Sequence, residues 1–178
     1  MDLFQVRDIL DTFRVVVDNR EQMTPRAKHR LKALGVPVEH GTLSYGDYAA
    51  NVDMPDGPLL DTSVTMKPAC VIERKMSLDE LAACLGRDRA RFVRELERAR
   101  DAGAKVYLLV EDASWEKLLN HNYRSKLHPN AFMASLLAFQ VRYGLVTVFC
   151  TQLTSGRMIR EILYRELKEG LENAGEED

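Results

Sequence analysis

The sequence predicts an α/β layered domain. Short β-branched, apolar runs alternate along the chain with longer amphipathic segments, and capping or turn residues punctuate the boundaries between them. A length of 178 residues with 46% hydrophobic side chains is enough for one full core, so a single domain over residues 1–172 is expected. The acidic tail at 173–178 is expected to be disordered.

The elements follow in order. Val15, Val16 and Val17 centre a buried strand over 13–18 that ends at a carboxylate, Asp18. Thr24 and Pro25 form an N-cap and first-turn pair, and Ala27, Leu31 and Leu34 give the helix an apolar stripe that Gly35 terminates. Residues 36–43 and 45–52 read as two strands joined around 44–46, and the turn-rich stretch after them reads as a loop or irregular hairpin over 53–66. A short strand over 69–72 runs into the charged triplet Glu73, Arg74, Lys75. Ser77 with Glu80 three positions later is a capping box, so a helix starts directly after the triplet. A longer helix is expected over 87–102 with Gly103 as its stop, then a strand over 105–110 and a short helix over 114–120. A helix over 129–143 ending at Gly144, a strand over 145–151 and a helix over 156–171 complete the chain.

No apolar run has the length of a membrane span, and the N-terminus lacks the pattern of a secretory signal, so the protein is expected to be soluble, intracellular and cytoplasmic. Cys70, Cys84 and Cys150 are odd in number and widely spaced in apolar surroundings, which reads as free thiols. The net charge of −2 hides an asymmetry: the last ten residues hold five acids and no base, so the remainder sums to +3. The four histidines, His29, His40, His121 and His128, show no ligand spacing and read as surface or capping residues.

Two charged sites fall at strand ends, Gly46-Asp47 and Glu73-Arg74-Lys75. If those strands pair, two carboxylates and an ammonium converge at one sheet edge. Carboxylate oxygens suit a hard ion such as Mg2+, which keeps waters for chemistry. Glu73 and Lys75 share a face because side chains two apart on a strand do. Alone, such a triplet is also the composition of an ordinary solvated turn.

The neighbours of these sites decide the reading. Val15-Val16-Val17-Asp18-Asn19-Arg20-Glu21, then Gly46-Asp47, then Glu73-Arg74-Lys75 with Asp79 four residues on, resemble the nuclease domain of the XPF/Mus81/Hef (ERCC4-type) family of structure-specific nucleases. That family's signature is a VDxRE-like strand, a GD dipeptide, a gap and ERKxxxD, and the likeness runs over about residues 13–151. It implies a restriction-endonuclease-like, PD-(D/E)XK three-layer fold, with a central mixed sheet flanked by helices. It implies Mg2+ or Mn2+ as cofactor, held by Asp47 and Glu73 with help from Asp18, and Lys75 as catalytic lysine. Glu21 is implied as a further acid aiding metal or water placement, and Arg20 and Arg74 as organisers of the site or phosphate contacts. Asp79 either completes the motif or answers the dipole of the next helix. The gap from Asp47 to Glu73 is longer than usual for the family, which implies an inserted hairpin near the site. The chain has no room for the family's helix-hairpin-helix domains, which implies a stand-alone form of bacterial or phage origin.

Arg87, Arg91, Arg94 and Arg98 fall within about 60° on a helical wheel, opposite Phe92, Val93, Leu96 and Ala99. This stripe reads as a phosphate-binding face or as a solvated face partly neutralised by pairing with Glu95 and Glu97. Arg124 and Lys126, in the loop with Tyr123, are further DNA-contact candidates. Trp115 is expected to anchor a short helix. Phe132, Leu136, Leu137 and Phe139, with Met158, Ile159, Ile162 and Leu163, supply core and a possible face for a homodimer or heterodimer. The expected function is a metal-dependent DNA endonuclease acting on branched, flap or fork DNA in repair, recombination or replication. A non-catalytic DNA-binding subunit and a restriction-type nuclease on unbranched duplex are the alternatives.

Overall fold

The computed structural model describes residues 3–174. β1 (Arg14–Asp18) carries three successive valines, all buried, so both of its faces meet core and it takes a central place. β2 (Val38–Leu43) pairs with it in parallel and β3 (Tyr48–Asn51) antiparallel on its other side. A small hairpin, β4 (Asp53–Met54) and β5 (Gly57–Pro58), follows, and β6 (Thr65–Met66) adds to β2. β7 (Cys70–Lys75) runs antiparallel to β3, then β8 (Lys105–Glu111) and β9 (Val146–Cys150) extend the sheet in parallel. The seven-stranded order is β6-β2-β1-β3-β7-β8-β9. Within it β3 alone opposes the rest, so it begins at the edge where the other strands end.

Helices cover both faces. α1 (Leu3–Leu10), α2 (Pro25–Leu34) and α7 (Ser155–Asn173) pack on the face holding Val15, Val17, Tyr48, Ile72 and Leu109. α3 (Leu78–Leu85), α4 (Arg89–Asp101), α5 (Trp115–Leu119) and α6 (Pro129–Tyr143) cover Val16, Ala49, Val71, Leu108 and Val110. Local signals set their ends: Thr24 Oγ1 accepts from Ala27 N at 3.1 Å, Ser77 caps α3, and His128 Nδ1 accepts from Asn130 N at the start of α6. α7 crosses α2 so closely that a Cβ on Gly156 would lie 2.4 Å from the Arg30 carbonyl oxygen.

Several expectations need correction. α1 was not expected: its eight residues lack an acidic first turn and bury only Val6, Ile9 and Leu10 among the side chains described. Glu73, Arg74 and Lys75 lie inside β7 rather than beyond its end. α4 starts at Arg89, because α3 closes at Gly86 and Asp88 precedes the new helix, so Arg87 belongs to the turn and not to the stripe. The β4–β5 hairpin leaves from the end of β3 farthest from Asp47, and Asp53 is tied to Arg14 and Thr12, so it stands at the opposite edge from the charged strand ends. Phe132, Leu136 and Phe139 are core as expected, but Leu137 is exposed with Val141; on α7, Ile159 and Leu163 are buried in this chain's own core and Met158 and Ile162 pack partly buried against it. Trp115 packs edge-on against Phe149 with ring centroids 5.2 Å apart. The three cysteines are free. No helix among the described residues is long and apolar enough to cross a membrane. The tail expected at 173–178 lies, from residue 175, outside the described residues.

Candidate active site

The antiparallel insertion of β3 brings the chemistry together. Tyr48 pairs with Val17 on one side and Ile72 on the other, so one step earlier Asp47 stands level with Asp18 and Glu73. Backbone bonds fix this row: Asp18 N donates to Asp47 O at 2.9 Å, and Asp47 N donates to Ile72 O at 2.8 Å. The preceding glycine is required, since Gly46 has φ +72° and a Cβ there would meet the Val71 Cβ at 2.7 Å.

Asp47 is half-buried and Glu73 and Lys75 are buried, and all three border a cleft of about 670 Å³ at the sheet edge. Asp47 Oδ2 accepts the Arg74 backbone N–H at 2.8 Å. Lys75 Nζ donates to Glu73 Oε1 and lies 5.3 Å from the centroid of the Phe92 ring. Burial and then the Glu73 charge push Asp47 up to about 8, against the pull of Lys75 and of the Arg74 N–H. Burial also raises Glu73, with Lys75 opposing and Glu95 and Glu80 adding to the rise. Burial alone would lower Lys75, but Glu73, Cys84 and Asp47 together raise it. Two crowded carboxylates facing one ammonium leave a negative surplus that a hard cation relieves, and their oxygens are the donors such an ion takes. This donor set fits Mg2+ or Mn2+.

The other residues singled out in the sequence divide into three groups. Asp18 lies beneath the rim, with both oxygens engaged: Arg20 Nε at 2.6 Å, Arg20 N and Leu43 N at 2.8 Å each, and Arg20 Nη2 at 3.0 Å. Arg20 itself is 61% exposed and faces the cleft, further fixed by donating to the Leu43 carbonyl. Glu21 and Arg74 also line the cleft and belong to an ionic network at its other side. Arg30 donates to Glu21 at 2.6 Å, Glu111 at 2.8 Å and Tyr48 Oη at 2.9 Å; Arg74 lies 3.2 Å from Glu21 and 3.7 Å from Glu111. Arg26 completes it by donating to Glu111 and to the Met76 carbonyl. Asp79 stands away from the cleft: it accepts the backbone N–H groups of Arg124 and Ser125 at 2.8 and 2.7 Å, pinning the loop 121–127 to α3.

Arg91, Arg94 and Arg98 line the cleft beside the acids. Arg87 and Arg124 instead border a second cleft of about 660 Å³ on the other side of α3, and Lys126 is exposed in the adjoining loop. Sequence reasoning missed Glu95. No ion pair among the described residues joins it to an arginine; its Oε1 accepts the Gly46 N–H at 3.1 Å. The available signal was its place on the wheel, about 40° beyond Arg91, between the edge of the stripe and the packed face.

Residues 17–159 match the family model of the ERCC4 domain. The chain belongs to the ERCC4 domain family. Among solved structures the ERCC4 domain described here is similar to XPF from Aeropyrum pernix, with 24% identity and a TM-score of 0.59 over 86% of this chain and 61% of that one. It is similar also to the structure of that protein in complex with DNA, with 23% identity and a TM-score of 0.59 over 88% of this chain and 66% of that one. The chain thus spans less than two thirds of the length of either. No curated protein sequence matches. The mixed seven-stranded sheet between two helical layers is the restriction-endonuclease-like fold expected of an ERCC4 domain.

Proposed function

We propose that this ERCC4 domain hydrolyses phosphodiester bonds in DNA with a divalent cation, Mg2+ or Mn2+. The observation that carries the reading is the row that sets Asp47 opposite Glu73 across β3 and β7, with Lys75 paired into it, in an arginine-rimmed cleft. Asp47 and Glu73 would hold the ion, which when bound lowers the pKa of a coordinated water and offsets charge building on the phosphate. The Arg74 N–H holds one oxygen of Asp47 and leaves the other for this task. Lys75 serves as a fixed cation aimed at the phosphate oxygens or the attacking water. Asp18 contributes by holding Arg20 at the rim as a preset guanidinium fork, and Arg91, Arg94 and Arg98 supply further phosphate contacts.

A branched substrate is supported by the two clefts. Glu80 and Cys84 of α3 face the acidic cleft, while Asp79, Ala82 and Ala83 border the second, with Arg87 and Arg124. α3 is thus a partition with basic groups on either side, suited to DNA whose strands diverge.

The test is cleavage of labelled flap, fork and plain duplex DNA in Mg2+, Mn2+ or EDTA. Wild type should cut in metal only and favour the branched forms, while Asp47→Asn and Lys75→Met should each lose at least about a hundredfold in rate. Equal cutting by all three proteins overturns the reading. Salt-sensitive DNA binding without turnover in any metal would leave a binding subunit instead, and discrete fragments from a long linear duplex would leave a restriction-type enzyme.

A further inference from the structure

α4 holds the strand-joining turn that carries the first acid of the site. Glu95 Oε1 accepts the backbone N–H of Gly46 at 3.1 Å, one residue before Asp47. Nearly one turn further along the helix, Arg98 Nε donates to the Ser44 carbonyl at 3.1 Å. Two side chains three residues apart on one helical face therefore grip both ends of the 44–46 turn. The other side of the turn has no slack, because Gly46 rests against Val71 and Asp47 N is bonded to Ile72 O. Any shift of the turn moves Asp47 relative to Glu73.

We infer that Glu95 is a positioning residue: by holding the Gly46 N–H it sets the Asp47 carboxylate opposite Glu73, and with Arg98 it couples the arginine face of α4 to that placement. The inference rests on the hydrolytic reading above and adds to it how the helix that meets the phosphates is tied to the acid that meets the ion. Glu95 acts through Asp47: its Oε1 holds the amide that precedes that acid, and among the described residues no group of three or more acidic, histidine or cysteine side chains is spaced to hold a metal.

Glutamine at this position keeps an oxygen that can accept the same N–H; alanine does not. The experiment compares wild type, Glu95→Gln and Glu95→Ala in cleavage of a labelled flap duplex across an Mn2+ titration, in binding of the same DNA in EDTA, and in hydrogen exchange at the Gly46 amide. Loss of one charge-assisted hydrogen bond predicts that Glu95→Ala lowers kcat about tenfold, while Glu95→Gln stays within about threefold of wild type. DNA affinity should change little in either, and the Gly46 amide should exchange slowly in wild type and Glu95→Gln and faster in Glu95→Ala. Full activity of Glu95→Ala overturns the inference, as does a loss in Glu95→Gln equal to that in Glu95→Ala. Should Glu95→Ala not fold, wild-type exchange at Gly46 as fast as that of an open loop overturns it without any variant. A wild type that cuts no DNA while its Gly46 amide remains protected by Glu95 would instead remove the hydrolytic reading and leave the clasp standing.

Discussion

At position 18 a carboxylate beside the site uses both oxygens to hold an arginine. Four donors surround it, and its side chain is 2% exposed, so the group is more an anchor than a free ligand. Charge-assisted hydrogen bonds to a buried acid are worth roughly twice a neutral one. Asp18→Asn should therefore cost about 2 kcal/mol in urea unfolding, and it should raise KM for DNA through a loosened Arg20 while kcat holds. A variant that keeps full stability and loses only kcat would return Asp18 to the ion. Residues 47, 73 and 75 were legible from strand ends and strand periodicity, whereas 18 and 20 entered the site only through the family resemblance. Glu95 was not, because its partner is a backbone amide 49 positions away.

One side chain ties the loop 121–127 to α3. Asp79, in the first turn of α3, accepts two of its backbone N–H groups and an Arg124 side-chain bond. Partial burial opposes ionisation, but these bonds and the Arg124 charge win and hold the carboxyl below its ordinary value of 3.8. A carboxyl with a lowered folded value stabilises above its unfolded value, and the contribution disappears as pH falls through the folded one. The loop amides should thus stay protected from hydrogen exchange at neutral pH and open selectively below about pH 4. In Asp79→Asn the opening should lose that pH dependence; an unchanged profile would show that other contacts hold the loop. The capping pattern announced α3, whereas the long-range partner of its first turn did not show in the sequence. Likewise the arginine stripe was legible as a period, but its break between Arg87 and Arg89 depended on where α3 ended.

Across the whole molecule, α2 and the sheet edge meet at a buried ionic network. Arg30 is 2% exposed and joins α2 to Glu111 at the end of β8, to Glu21 after β1 and to Tyr48 at the start of β3. Removing Arg30 leaves Glu21 and the buried Glu111 to share Arg74 and, for Glu111, Arg26, so buried negative charge loses much of its compensation. Arg30→Met should destabilise by about 3–5 kcal/mol in chemical denaturation, far more than loss of an exposed pair such as Arg100 with Asp101. Equal stability of Arg30→Met and wild type would mean that the network is an ornament of the edge and not its support.

Periodicity, capping and turn residues are local properties, so the sequence by itself determined the alternation of strands and helices, the strand-end acids with their lysine, and the family they resemble. Only the tertiary structure decided that β3 enters antiparallel and sets Asp47 against Glu73, that Asp18 and Glu21 face arginines, and that Ile159 and Leu163 of α7 serve this chain's own core while Leu137 of α6 stays exposed. Strand order, the far partner of a buried charge and the surface left over after packing are set by contacts between distant segments, and no short window of sequence contains both sides of such a contact.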